Sequence, residues 1–567
     1  MVAFGKPIKG FINSTKMKQK VIELSYSAWN NFMNRQKPLT HHWLGSAKAN
    51  LFKTTIVDAQ GTKLNNAQFI TAVLLFVKSL EKQLKNEKHI GVLLPSSAAG
   101  SIVNMALMVL GKVPVNLNYT LSQEVMEKAL AKANIKTIIS SDKFIQKLAE
   151  KGFDFSTLLA DKLLYAENIA KHTTKFAKSR IFLTACITPQ WWIKARYFKS
   201  VELNDTATIL FSSGSEGAPK GIELSHKNLL TNIKQVSELL NFQKEDVILN
   251  SLPIFHSFGL TVTTLLPLCE GIKMVSIADP TDGATIGKLS AKHRVSILFG
   301  TSTFFRLYVR NKKLHPLMFQ NVRMVIAGAE KLKTDVKESF KMKFGLDILE
   351  GYGTTETAPV SSVNMPNILD PDTLKEFTFS KVGSVGMPLP GTIIKIVDPE
   401  TLEELAAGED GLILIGGGQV MKGYLNDDEK TAEVIAEIDG ERYYKTGDKG
   451  HIDEQGFITI VDRYSRFAKI GGEMISLGSV EEKLTPLFND ETTLVTTTIS
   501  DDKKGERVVL LIKTELELEE IKEKIKFSGL PPIMQPSEIF IVKEIPLLGS
   551  GKVDFKGAKI LAQQLSI

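Results

Sequence analysis

Cysteine is nearly absent: Cys186 and Cys269 are the only two in 567 residues, far apart and without metal-ligand spacing. That argues against a disulfide framework or a cysteine-held zinc site and fits a reducing cytoplasm. Long hydrophobic runs are missing as well. The most apolar stretches, Phe69 to Val77 and Met105 to Leu110, fall far short of the ~20 residues a membrane-spanning helix needs. Residues 1 to 20 carry five lysines and no apolar core, so no secretory signal is expected. No internal repeat or low-complexity run occurs. Acidic residues are scarce in the first 200 positions, which hold 11 Asp/Glu against 29 Lys/Arg, a net of +18 in a chain whose total is +7. Such a region attracts anionic lipid surfaces and acidic proteins. Nucleic acid is not expected as a partner, because no recognition module accompanies the charge.

What is present describes a globular chain of two or more domains, 43% apolar and 23% charged. Residues 1 to 50 are basic and poorly periodic and are expected to pack on the main body. From Asn66 to Lys88 the apolar spacing is helical. Short apolar, β-branched runs follow at Ile90–Leu94, Val113–Leu117, Ile135–Ile139, Ile248–Leu252, Ile297–Gly300 and Met324–Gly328, with a helix to about Leu110 after the first. This alternation predicts parallel α/β layers. Ligands of such sheets bind beyond the strand C-termini, where the Gly-rich segments fall. Near Arg463 a charged hinge leads into a compact α+β stretch. The expected architecture is a large N-terminal α/β domain of layered subdomains over 1–463 and a small mobile α+β domain over 464–567.

The most informative segment is Ser212 to Gly221, Ser-Ser-Gly-Ser-Glu-Gly-Ala-Pro-Lys-Gly, after the apolar strand Ala207 to Phe211 and before a helix from about Asn228. Glycines let the backbone approach a ligand, hydroxyls and N–H groups donate to oxyanions, and Lys220 adds a charge. It is not the Walker pattern, since Gly221 follows Lys220.

Six further segments follow in order: PIFHSFG at Pro253–Gly259, AGAEKL at Ala327–Leu332, GYGTTE at Gly351–Glu356, YKTGD at Tyr444–Asp448, DRYSRFAKIGG at Asp462–Gly472 and PLLGSGK at Pro546–Lys552. With these motifs the chain resembles the adenylate-forming superfamily, which includes acyl-CoA synthetases, luciferases and adenylation domains of peptide synthetases. The wording SSGSEG, FHSFGLT, LFGTST and RFAKIGGEMISL is similar to the acyl-[acyl carrier protein] synthetase branch. That branch includes the synthetase half of the bifunctional 2-acylglycerophosphoethanolamine acyltransferase/acyl-ACP synthetase. No His here has Asp five positions later. An H-x4-D acyltransferase domain is therefore not expected, and acyl transfer to a lysophospholipid would need a separate acyltransferase.

The resemblance implies activation of a long-chain fatty acid by ATP and Mg²⁺ as acyl-AMP, then transfer to the thiol of acyl carrier protein. Two alternatives stand: a long-chain acyl-CoA synthetase, and a non-catalytic membrane-associated nucleotide- or lipid-binding protein. By the same resemblance, Ser212, Ser213, Gly214, Ser215, Glu216, Gly217 and Lys220 hold phosphates. Gly328, Ala329 and Glu330 flank the adenine, with the Tyr352 face against it, and Gly351, Gly353 and Thr354 complete that motif. Thr355 reaches the α-phosphate and Glu356 is the Mg²⁺ ligand. Asp448 and Arg463 take the ribose. Lys552 serves adenylation and Lys469 thioester formation, the small domain rotating between them about Ser465. His256, Phe258 and Gly259 form an aromatic gate beside the acyl site, with Gly300 and Thr301 and the nearby Phe304 and Phe305 as its wall. Three positions depart from the family pattern: Glu216 for threonine, Asp462 for glycine, and Ser465 for Asp or Lys.

One segment outside these motifs has two readings. Lys171, Lys175, Lys178 and Arg180 lead into IFLTACITPQWWIKARYFKS, where Trp191 and Trp192 sit among Lys194, Arg196 and Lys199. Aromatics beside cations suit a membrane interface. The same pattern also describes a surface helix whose tryptophans are core. The resemblance favours peripheral contact with the inner face of a membrane.

Overall fold

A computed structural model describes residues 14–153, 155–171, 174–212, 219–470, 473–489, 492–501, 505–547 and 553–566. Contacts divide the chain into two compact units, Met1–Ile394 with Ile415–Tyr444, and Lys395–Leu414 with Lys445–Ile567.

The first unit is built on two sheets. One has nine strands in the order Met387–Pro388, Val360–Val363, Ile348–Gly353, Met324–Ala327, Ile297–Gly300, Val247–Asn250, Lys273–Ser276, Thr54–Asp58 and Lys63–Asn65. The six strands from Ile348–Gly353 to Thr54–Asp58 are mutually parallel. The other sheet has seven strands, and five of them, from Thr206–Ser212 through Val113–Asn116, His89–Leu93 and Ile138–Ser140 to Leu163–Tyr165, are parallel. Strands such as Val113–Asn116 and Ile297–Gly300 are buried at every position, as parallel strands covered on both faces must be. The α/β expectation therefore holds for this unit. The helix Ala98–Val109 packs on strands of both sheets and has eleven buried residues, which accounts for its apolar character all round. Helix Asn66–Gln83 starts at a capping box in which Asn65 and Gln68 exchange side-chain to backbone bonds of 2.9 Å.

The N-terminal region is more regular than its sequence suggests. Helices span Ser14–Asn34 and Leu39–Ala49. Trp43 on the second is fully buried and meets Phe69 edge-to-face at 6.0 Å. Tyr26 on the first donates to Glu441 at 2.6 Å, and Trp29 covers Gly391, where a Cβ would come within 2.4 Å of the indole.

The second unit holds a mainly antiparallel sheet containing Phe467–Ile470, Glu473–Ser476, Thr493–Asp501, Gly505–Lys513 and Glu538–Ile541. Helices Leu477–Leu484, Leu518–Lys526 and Phe555–Leu565 accompany it. It is a small α+β body, as expected. It also takes in residues before 464, because Asp462 is tied across the expected hinge: its carboxylate accepts from Ser476 Oγ at 2.7 Å and from the Gly478 amide at 2.8 Å.

The strands under the Gly-rich segments are aligned from their far ends. Asp246, Ser296 and Arg323 each precede one of three neighbouring parallel strands. Buried Asp246 accepts from Ser296 Oγ at 2.7 Å and from Arg323 Nε and Nη2 at 3.0 and 2.7 Å. Burial opposes its charge, but the Arg323 and Ser296 bonds prevail and hold its pKa below the usual carboxylate value. A lowered pKa contributes stability above the unfolded value and loses it as pH falls through the folded one. Arg323→Met should therefore cost about 3 kcal/mol at neutral pH. The difference from wild type should shrink below about pH 4, as denaturant titrations at several pH values would show.

Candidate functional site

The phosphate-loop candidate sits in a hairpin. Strand Thr206–Ser212 returns antiparallel as Lys220–Ser225, placing half-buried Ser212 opposite Lys220. Ser213, Gly214, Ser215, Glu216 and Gly217 lie outside the described residues. The sequence predicts a helix from about Asn228 after the loop. A strand comes first, since Ile222 and Leu224 alternate with Gly221 and Glu223, and the helix begins at His226 behind a Ser225 cap. The two-residue strand Gly423–Tyr424 pairs with it, and the Leu425 amide donates to the Gly221 carbonyl at 2.7 Å.

That pairing brings Tyr424 to two residues singled out from sequence. Its hydroxyl donates to Glu356 Oε1 at 3.0 Å, and the Lys220 ammonium lies 5.3 Å from the centre of its ring. The Met421 amide also donates to the Glu356 carbonyl at 2.7 Å. Burial, reinforced by the Glu356 carboxylate, pushes the Tyr424 hydroxyl far above its ordinary pKa. Tyr444, hydrogen-bonded to Tyr424, is raised likewise by burial and by Glu356. Both tyrosines therefore stay protonated donors. Sequence reading assigned neither a role here. The available signal was Tyr444 inside YKTGD; Tyr424 gave none, because its partners lie 68 and 202–204 residues away in the chain.

The other candidates in this unit cluster at the C-terminal ends of four neighbouring parallel strands. After Val247–Asn250 come His256, Phe258 and Gly259; after Ile297–Gly300, Thr301; after Met324–Ala327, Gly328, Ala329 and Glu330; within and after Ile348–Gly353, Gly351, Tyr352, Gly353, Thr354, Thr355 and Glu356. These segments touch. The Gly328 amide donates to the Gly300 carbonyl at 3.0 Å, and Ser257 Oγ donates to Thr355 Oγ1 at 3.3 Å. Glu330 accepts from the Thr303 amide, and Thr301 caps the following helix through the Phe304 amide at 3.3 Å. Phe258 lies flush on Gly328, where a Cβ would stand 3.1 Å from its ring, and meets Phe299 edge-to-face at 5.8 Å. At Gly353 a Cβ would come within 1.8 Å of the Pro359 carbonyl oxygen, so only glycine fits. Gly259 lies in the first turn of a π-helical stretch, Phe258–Leu265, in which Thr263 and Thr264 both donate to the Gly259 carbonyl at 2.9 Å. The structure corrects one wall residue. Phe305 is fully buried beneath Gly300, with Tyr308 at 6.1 Å and Phe340 at 5.2 Å, and belongs to the interior, because Gly300 leaves room for its ring; Phe304 is half-buried.

The remaining candidates are in the second unit. Buried Asp448 lies directly opposite Arg463 on the paired strand, with Arg463 Nε 3.3 Å from Asp448 Oδ1. Ser465 and Lys469 are exposed, and the Lys469 amide donates to Glu506 at 2.8 Å. Lys552 lies outside the described residues.

Residues 46–425 match the model of a family described as AMP-binding enzyme. The chain belongs to this family. A long-chain-fatty-acid--CoA ligase of Bacillus subtilis (strain 168) is 28% identical over 525 residues, 88% of this chain and 90% of that protein. Among solved structures, ATP-bound MatB from Rhodopseudomonas palustris aligns with a TM-score of 0.74 at 22% identity, over 93% of this chain and all of that one. MenE, an o-succinylbenzoate coenzyme A synthetase from Bacillus subtilis solved with ATP and a magnesium ion, aligns with 0.73 at 21% identity, over 91% and 98%. The two structural likenesses show a shared fold.

Tyr424→Phe removes one hydrogen bond and little volume. It should lower the stability of the first unit by about 1–2 kcal/mol, read as an earlier denaturant midpoint. An unmoved midpoint would mean that the Glu356 contact contributes nothing in solution.

Proposed function

We propose that this AMP-binding enzyme is an ATP-dependent acid–thiol ligase that activates a long-chain fatty acid as acyl-AMP and transfers it to the phosphopantetheine thiol of acyl carrier protein. The observation that carries the reading is the convergence of the Lys220 hairpin, Tyr424 and the Thr355–Glu356 turn, adjoining the Gly328–Phe258 wall. A carboxylate and a triphosphate repel each other, so cations and donors must stand where negative charge accumulates. Lys220 and the Ser212–Gly217 loop hold the phosphates. Tyr352 and the Gly328–Glu330 backbone receive the adenine, and Asp448 and Arg463 the ribose hydroxyls.

Glu356 fits Mg²⁺. Among the described residues no group of three or more His, Cys, Asp or Glu side chains could cage a metal. Mg²⁺ is commonly held by one or two carboxylates together with substrate phosphates and water. Bound there, it would neutralise phosphate charge. Lys552 aligns the carboxylate and α-phosphate in the first half-reaction, and Lys469 serves the second after the small unit turns at Ser465.

Carrier protein is placed first as acceptor on the wording of SSGSEG, FHSFGLT and RFAKIGGEMISL and on the basic N-terminal third, which suits an acidic partner. Coenzyme A is the second reading, favoured by the CoA ligase name of the Bacillus subtilis relative. A separate acyltransferase would use the product. Contact with the inner face of a membrane belongs to the same reading.

ATP-dependent transfer of radiolabelled palmitate to holo acyl carrier protein and, in parallel, to CoA tests the proposal. Transfer mainly to the carrier is expected. Transfer mainly to CoA selects the second reading, and transfer to neither while ATP still binds leaves a non-catalytic nucleotide-binding protein. Lys552→Ala should abolish acid-dependent pyrophosphate release with ATP binding retained. Glu356→Ala should raise the Mg²⁺ concentration needed for half-maximal rate, and an identical Mg²⁺ titration would remove its metal role.

A further inference from the structure

Helix Lys175–Ile187 is apolar on two opposite faces. Ile181 and Ala185 are buried and face the body of the unit, where the helix packs on Asn66–Gln83. On the other side stand Phe176, 78% exposed, Leu183, 56%, and Ile187, 78%. Positions seven and eleven residues after Phe176 return to within about 20° of it around a helix, so the three form one outward stripe. The chain then turns at Pro189 into helix Gln190–Tyr197, whose first turn presents Trp191 at 67% exposure and Trp192 at 40%. Of the two readings of this segment, the one that makes both tryptophans core does not hold.

The segment that carries the stripe is cationic, although Lys199 at its end pairs with Glu81. Between Glu167 and Glu202 there are 34 residues with seven Lys/Arg and no acid. Arg180, about 40° around the helix from Phe176, is exposed beside the stripe. The scaffold beneath is fixed: Lys48 donates to the Ala185 and Cys186 carbonyls at 2.8 and 3.2 Å, holding the C-terminal turn of the first helix.

We infer that the surface formed by these two helices docks on an anionic lipid bilayer, with Phe176, Leu183, Ile187 and the Trp191–Trp192 pair in the interfacial layer and the flanking Lys and Arg against lipid phosphates. This deepens the membrane contact proposed above and names the surface that makes it. Two features choose lipid over an acidic protein. The outward stripe itself is aliphatic and aromatic, with exposed Lys175 and Arg180 on the same helix, which is the composition of a monotopic helix. Adjacent tryptophans at the edge of an aliphatic stripe also occupy the headgroup level, where their amphipathic rings are most stable.

The test uses the full chain without ATP or fatty acid, sedimented with phosphatidylcholine vesicles or with vesicles containing phosphatidylglycerol as well. Partition should favour the anionic vesicles by about tenfold or more and weaken with salt. A Phe176→Ser/Ile187→Ser/Trp191→Ser variant, checked for an unchanged melting profile, should lose about tenfold. Brominated acyl chains should quench tryptophan emission in the wild type and much less in Trp191→Ser/Trp192→Ser. Equal binding to both vesicle types, or an unweakened variant, would overturn the proposal. So would a variant that keeps vesicle binding but loses transfer to carrier protein in vesicle-free solution, since the surface would then be a protein-docking face. Because binding is read without substrates, its failure leaves the ligase reading standing, and absence of pyrophosphate release leaves the lipid surface standing.

Discussion

The candidate site depends on strand alignment, and alignment depends on one buried carboxylate. Asp246 gathers Arg323, Ser296 and the Gln243 amide at the N-terminal ends of three neighbouring strands. Ser296 Oγ in turn accepts from the Val247 amide at 2.9 Å, so each strand starts at a set height relative to its neighbours. A parallel sheet transmits that alignment over four residues to the opposite edge, where Gly300, Gly328 and the Gly351–Glu356 segment emerge. A one-residue slip would turn each strand over and remove Phe258 from Gly328.

At that edge, charge is organised through aromatic rings as well as direct ion pairs. The Tyr424 face lies near the Lys220 cation while its hydroxyl serves the Glu356 anion, and Tyr444 extends the same chain of donors. The tyrosine thus lets a hairpin lysine and a carboxylate 136 positions later share one support without quenching each other in an ion pair. Both remain available to a ligand that carries phosphate and metal together.

Local pattern explains what the sequence made legible. Short, wholly apolar strands such as Ile297–Gly300 and Met324–Ala327 could be read directly, and the order of motifs along them placed the Gly-rich segments at the strand ends. Features with two signals at once were harder to read. Helix Lys175–Ile187 is apolar on opposite sides, so the periodicity of its buried face is cancelled by that of its exposed one. Strand Lys220–Ser225 alternates, but over only two apolar positions, Ile222 and Leu224, too few to stand out. Leu39, Trp43 and Leu44 are buried on a helix too short and too rich in His and Lys to stand out. Tyr424 was invisible for a different reason: its role comes from a strand pairing that no neighbouring residue announces.

Asp462 gives the second unit a property that a glycine could not. Its carboxylate accepts from Ser476 Oγ and the Gly478 amide across the Tyr464–Arg466 turn, and Arg466 at the end of that turn donates to Glu481 at 2.7 Å and lies over Phe555. Opening that turn would release the Asp462 bonds, a cost of about 3 kcal/mol at hydrogen-bond strengths typical of charged groups. The turn therefore has one preferred setting, written into a single acidic side chain.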